Sequence, residues 1–151
     1  MSATKCNDEF KQNESIFCIG VEKHSDPSGQ CNAMSKMTHG DEALDEEDGS
    51  ITNATKMDSQ AKHGLVSRGE AQVCLRLPKP ECVEWMWDHA AGSLIIEEAG
   101  GKVTDVDGNR LDFSLGSKLW PHVKGIIGAN GGAFHDVVLN ACRKQRNDRN
   151  M

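Results

Sequence analysis

Six carboxylates crowd into eight residues, Asp41-Glu42-Ala43-Leu44-Asp45-Glu46-Glu47-Asp48. Like charges at that density repel one another and cannot enter a core. Whatever this chain folds into must therefore be assembled from the residues on either side. We expect 38–53 to be an exposed, disordered acidic loop. These six charges equal the whole formal net charge of −6. A chain of that balance lacks the basic footprint of a nucleic-acid polymer binder. Its 151 residues leave room for one domain. No run of 18 apolar residues exists to cross a membrane. The first 20 residues carry Asp8, Glu9 and Glu14 and lack a cationic start before an apolar block. No secretory signal is expected from them, and an intracellular, cytoplasmic chain with free thiols follows as the expectation.

Apolar residues are sparser before about residue 57 than after it, so the second part should carry most of the core. Ile16-Phe17-Cys18-Ile19-Gly20-Val21 is a short continuous apolar run and suits a strand covered on both faces. A helix is predicted over 59–69. Asp58 or Ser59 would cap it, Ala61, Leu65 and Val66 would form its inner face, and Gly69 would end it. Residues 71–77 alternate as a strand, with Ala71, Val73, Leu75 and Leu77 on one face and Gln72, Cys74 and Arg76 on the other. Pro78 and Pro80 end it. A second helix is predicted over 88–99, with Asp88 at its start, an inner face of Ala91, Leu94 and Ile95, and Gly100-Gly101 at its end. Lys102–Val106 and Arg110–Phe113 around Asp107-Gly108-Asn109 read as a hairpin. Gly125–Ala129 reads as a buried strand. Asn130 would cap a last helix ending at 143, leaving 144–151 as a flexible tail. Strands and helices alternate without repeats, so the class is α/β or layered α+β.

Four polar residues could carry chemistry. Asp88 stands at a helix start beside the small residues Ala90, Ala91 and Gly92. Small side chains there would let a phosphate approach exposed amides, and a carboxylate beside it could share a divalent cation. It could equally be a plain cap. Ser59 and Lys62 lie three apart and would share one helix face, offering a hydroxyl and a point charge to an anion. They could equally be a cap and a solvated lysine. Arg76, within a strand, needs either an anionic partner or an exposed edge. Asp105-x-Asp107-x-Asn109 begins like a calcium loop, but its sixth position is Arg110 and its twelfth is Gly116, so it reads as a turn.

Trp87-Asp88-His89-Ala90-Ala91-Gly92, continued by Ser93–Gly101, resembles the W-D-x-A-A-G motif of the lithium-sensitive, magnesium-dependent phosphatase superfamily that includes inositol monophosphatase. Met57-Asp58-Ser59-Gln60-Ala61-Lys62 and Leu75-Arg76-Leu77-Pro78 are similar to one branch, the 3′(2′),5′-bisphosphate nucleotidases. Phe17–Lys23 with His24-Ser25, and Leu111-Asp112-Phe113, resemble the same branch. The resemblance spans about 14–143. It implies the carboxy-terminal half of a layered α/β/α/β fold, interrupted by the acidic insertion. It implies a phosphatase acting on the 3′-phosphate of adenosine 3′,5′-bisphosphate and its sulfated analogue. His24, Ser59, Lys62, Arg76 and Asp88 would bind that substrate, and Asp88 would also ligate Mg2+.

The family's upstream glutamate, its D-P-I-D-G-T motif and its catalytic threonine have no counterpart here. Asp26-Pro27-Ser28-Gly29 lacks the second aspartate. The chain also has no tyrosine, although the family pattern places one where His63 stands. One carboxylate cannot hold a cluster of metal ions, so the chain alone is expected to have little or no activity. A separate amino-terminal half is a possible partner, and exposed apolar surface is expected where that half would pack. Two alternatives remain: a non-catalytic nucleotide-binding remnant, and an inositol-phosphate phosphatase. The match over 57–62 argues against the latter.

Overall fold

A computed structural model of the chain describes residues 15–20, 25, 26, 29, 30, 33, 54–119 and 123–149, with the backbone alone at 148 and 149. The acidic segment 38–53, His24, Cys6 and Cys31 lie outside the described residues.

Five strands form one sheet: β1 (Phe17–Gly20), β2 (Ala54–Met57), β3 (Val73–Arg76), β4 (Lys102–Asp105) and β5 (Ile126–Ala129). Their order is β2-β1-β3-β5-β4. β1 runs parallel to both β2 and β3, and β5 is antiparallel to β3 and β4. Helix α1 (Ala61–Ser67) carries the chain from β2 across β1 to β3. Helix α2 (Ala90–Glu98) packs on α1, while α3 (Gly132–Arg149) packs on β5 and β4.

The two-residue period of the strands divides the core. Phe17, Ile19, Val73, Leu75, Ile127 and Ala129 join Phe134 and Val138 of α3. Cys18, Cys74 and Ile126 join Val66 of α1 and Ile96 of α2 on the other side. β3 is thus covered on both faces: Cys74, expected opposite the core face, is as buried as its neighbours. Ala71 precedes the strand and packs with the Cys74 cluster rather than with Val73. Burial in that environment pushes the Cys74 thiol up to about 12, assisted by Cys18. Cys18, Cys74, Cys82 and Cys142 are all free.

Several elements depart from expectation. Neither Asp58 nor Ser59 caps α1, because Gln60 is its boundary residue and the Asp58 carboxylate instead accepts from the Ser59 amide at 2.9 Å. Lys62 and His63, not Ala61, are buried with Val66 on α1. Asp88 does not cap α2. It ends a 3-10 turn, Met86–Asp88, and His89 is the boundary residue. The buried face of α2 is Gly92, Ser93 and Ile96, while Leu94 and Ile95 are exposed. Gly92 explains the rotation: it lies so close to the His63 ring that no other residue could bring the two helices together there.

The expected hairpin has only its first arm. The buried Asp105 carboxylate accepts from the amides of Asp107 and Asn109 at 2.9 and 2.8 Å, and Gly108 takes φ +92°, closing a tight turn. The chain beyond it runs into a 3-10 turn, Phe113–Leu115, instead of pairing back. The last helix continues to Arg149 rather than stopping at 143. Gln145 is buried, Arg143 donates to the Asp107 carbonyl at 2.6 Å, and Arg146 pairs with the Asp107 carboxylate at 2.6 Å. Those anchors hold 144–149 as helix where composition alone suggested a tail.

Candidate functional site

β2 delivers Asp58 and Ser59 to the end of the sheet, α1 then supplies Lys62 and His63, and β3 ends at Arg76. The chain returns after Pro78 and Pro80 to place Glu84, Asp88 and His89 opposite. These eight side chains line one cleft of about 190 Å³. Ser59, Lys62, Arg76 and Asp88, picked from spacing and resemblance, thus face a common space.

Ser59 adopts φ +53°, a left-handed conformation that a serine rarely takes. Such a residue costs about 1 kcal/mol or more, and persists where its surroundings hold it. Here the Asp58 carboxylate holds its amide. Lys62 is 3% exposed, and its ammonium donates to the Met57 carbonyl at 3.3 Å, at the end of β2. The cation therefore reaches the cleft from inside the fold instead of from solvent.

Arg76 has an anionic partner. Its Nε donates to Glu84 Oε1 at 3.0 Å, its Nη2 lies 3.0 Å from the same oxygen as an ion pair, and its Nη1 donates to Ser25 Oγ. Glu84 Oε2 lies 2.6 Å from His89 Nε2. The Glu84 side chain is 4% exposed. Burial pushes its carboxyl upward, but the hydrogen bonds from His89 and Arg76, with the Arg76 charge, outweigh it and hold the group below the usual glutamate range. His63 meets His89 edge to face at 5.9 Å between ring centres.

The start of α2 is secured from across the cleft. Gln60 Oε1 accepts from the Gly92 amide at 2.7 Å, and Gln60 Nε2 donates to the Trp87 carbonyl at 2.8 Å. The approach to Asp88 is fixed too: the Leu119 amide donates to the Glu84 carbonyl and the Met86 amide to the Ser117 carbonyl, both at 2.9 Å. Trp85 and Trp87 stack at 4.8 Å. Asp88, which is exposed, projects from that braced turn.

Sequence reading missed Gln60, His63, Glu84 and His89. For Glu84 a signal existed: an arginine inside a central strand requires a carboxylate, and Glu81 and Glu84 are the first after the proline turn. Gln60 and His63 gave none, since their partners lie about 30 residues away.

Among the described residues, no three His, Cys, Asp or Glu gather to hold a metal ion. Glu84 is engaged by Arg76 and His89, which leaves Asp88 as a single carboxylate on its side of the cleft. These residues do not fit a metal centre by themselves. What they offer an anion is the Lys62 ammonium, the Arg76 guanidinium and the Ser59 hydroxyl, while the Asp58 and Asp88 carboxylates in the same cleft oppose it unless a cation lies between.

The profile of the Inositol monophosphatase family matches residues 2–147. The 3′(2′),5′-bisphosphate nucleotidase of Emericella nidulans is 39% identical over 132 residues, 87% of this chain and 34% of that protein. The Schizosaccharomyces pombe protein of the same name is 40% identical over 126 residues, 83% of this chain and 33% of its own length. The chain spans about a third of the length of these relatives. Among solved structures, inositol monophosphatase from Anabaena superposes with a TM-score of 0.60 at 20% identity, covering 91% of this chain and 46% of that one. SaIMPase-II solved with 2′AMP bound superposes with a TM-score of 0.54 at 17% identity, covering 93% of this chain and 49% of its own. The mixed sheet and its helices are therefore those of a known fold, and this chain belongs to the inositol monophosphatase family.

Proposed function

We propose that this chain is the substrate-binding part of a 3′(2′),5′-bisphosphate nucleotidase, which removes the 3′-phosphate of adenosine 3′,5′-bisphosphate and of its sulfated analogue. One observation carries the reading: Ser59, Lys62, Arg76 and Asp88, drawn from separate segments, line a single cleft. A dianionic phosphate needs cations and donors held in place, and Lys62 and Arg76 supply both. Ser59 adds a hydroxyl at the rim. The names of the relatives support a bisphosphate nucleotide as ligand. The 2′AMP complex of a structural neighbour supports a ribonucleotide in this fold.

Magnesium belongs to the same proposal, with Asp88 as one ligand. Its remaining ligands would come from an amino-terminal half, in this polypeptide or another. The 151 residues alone are therefore expected to bind nucleotide and to release no phosphate from it. We place the protein in a reducing compartment, the cytoplasm, in keeping with the free thiols of the four cysteines among the described residues. No helix among the described residues is long and apolar enough to cross a membrane.

Calorimetric titration of adenosine 3′,5′-bisphosphate, with and without magnesium, tests the reading. Saturable binding is expected, weakened about tenfold or more by Lys62→Met, which keeps the buried stem and deletes the charge. No binding under either condition would sink it. Tighter binding of an inositol phosphate than of the nucleotide would favour the sister activity instead.

A further inference from the structure

We propose that Glu84 is a positioning residue of the cleft: its carboxylate holds Arg76 with one oxygen and His89 with the other, fixing the strand-borne cation against the turn that carries Asp88. Arg76 sits at the end of β3, and His89 lies at the start of α2. The Glu84 side chain joins them at 3.0 Å and 2.6 Å. All three side chains are nearly buried, at 12%, 4% and 5% exposure. Glu84 itself is tied down by its own backbone, through the Leu119 amide. It is thus a fixed point between the Arg76 and His89 side chains.

Two effects of Glu84 on an anionic ligand oppose each other. Its negative charge beside Arg76 reduces the attraction of the guanidinium for phosphate. Its hydrogen bonds hold the long arginine side chain in one conformer before the ligand arrives, so binding does not have to order it. If the first effect dominates, deleting Glu84 tightens binding. If positioning dominates, deletion weakens binding although a repelling charge has gone. The double engagement of Nε and Nη2, with Nη1 on Ser25, favours positioning.

Affinity as a readout rests on the nucleotide-binding reading above, so the test has two arms. In the first, the full chain, Glu84→Ala and Glu84→Gln are titrated with adenosine 3′,5′-bisphosphate. Glutamine keeps an acceptor for Arg76 and offers its amide to the other tautomer of His89. Positioning requires a loss of about tenfold or more for Glu84→Ala and of less than about threefold for Glu84→Gln. Binding by folded Glu84→Ala as tight as wild type, or tighter, overturns the proposal.

The second arm needs no ligand and no alanine variant. The Nε–H proton of Arg76 in the wild-type chain is followed by 1H–15N spectroscopy. A guanidinium held by Glu84 gives a signal protected from solvent exchange relative to Arg110, whose side chain is 80% exposed. An Arg76 signal exchanging as fast as that of Arg110 overturns the proposal. A wild-type chain that binds no nucleotide counts against the functional reading, and the spectroscopic arm then decides the role of Glu84.

Discussion

Gln60 and Gly92 are 32 residues apart, yet Gln60 Oε1 accepts from the Gly92 amide at 2.7 Å. The first amides of a helix have no partner within it. In α2 no side chain of the boundary residue His89 takes that part. Gln60, just before α1, takes it and also holds the Trp87 carbonyl, so one side chain braces both flanks of Asp88. Gln60→Ala is expected to cost about 1–2 kcal/mol, the loss of a remote cap with a part-buried amide left bare. Chemical denaturation checks it, and a variant as stable as wild type would show that water replaces the cap at no cost.

Gly92 also sets the distance between α1 and α2. A Cβ at Gly92 would overlap the His63 ring, with His63 Cβ only 2.8 Å away. Alanine inside a helix is ordinarily worth up to about 1 kcal/mol over glycine. Here the obstruction is the base of a buried ring, not the tip of a flexible chain. Gly92→Ala should therefore be destabilising on balance, by about 1–3 kcal/mol. Its melting temperature should fall, and Gly64→Ala, where a Cβ meets nothing within 4 Å, should raise it.

His135 predicts how stability varies with pH. It is fully buried on α3, with Nε2 2.8 Å from Thr104 Oγ1. Burial first, then the Lys102 charge, pushes its pKa below the usual histidine value, against the pull of Asp136. The unfolded chain takes up a proton near pH 6.5 that the folded chain refuses. The stabilising contribution is thus complete above about pH 6.5 and falls as pH drops toward the lower folded value. Melts at pH 7.5 and 5.5 should show a smaller decline for His135→Gln than for wild type. Equal declines would contradict this account.

Exposed apolar surface is a further expectation with a direct test. Trp87, Leu94, Ile95 and Leu115 are 54%, 57%, 45% and 62% exposed. Leu94 and Ile95 lie on α2 and Trp87 in the turn just before it, and exposed apolar side chains gathered in this way bind apolar partners. The chain should bind a hydrophobic dye, and Leu94→Ser with Ile95→Ser should reduce the signal at a stability change of about 0.5 kcal/mol or less each. A wild-type chain that binds no dye would refute it.

Read as a string, this protein declares its elements wherever the determinant is local. The apolar run at Phe17–Gly20, the strand ended by Pro78, the glycine stops of α1 and α2, and the turn at Asp107-Gly108-Asn109 all depend on neighbours within a few residues. The short motifs around Asp58–Lys62, Arg76 and Trp87–Gly92 pointed to the family, and the residues in them share one cleft. What only the tertiary structure decided is relational. Which face of α2 is inside depended on Gly92 meeting His63, not on the apolar period that favoured Leu94 and Ile95. The partner of Arg76, the remote cap of α2 and the anchors that extend α3 to Arg149 all join positions far apart in sequence. A hydrogen bond or a close contact needs two groups to arrive together, and pattern along a chain records only one of them.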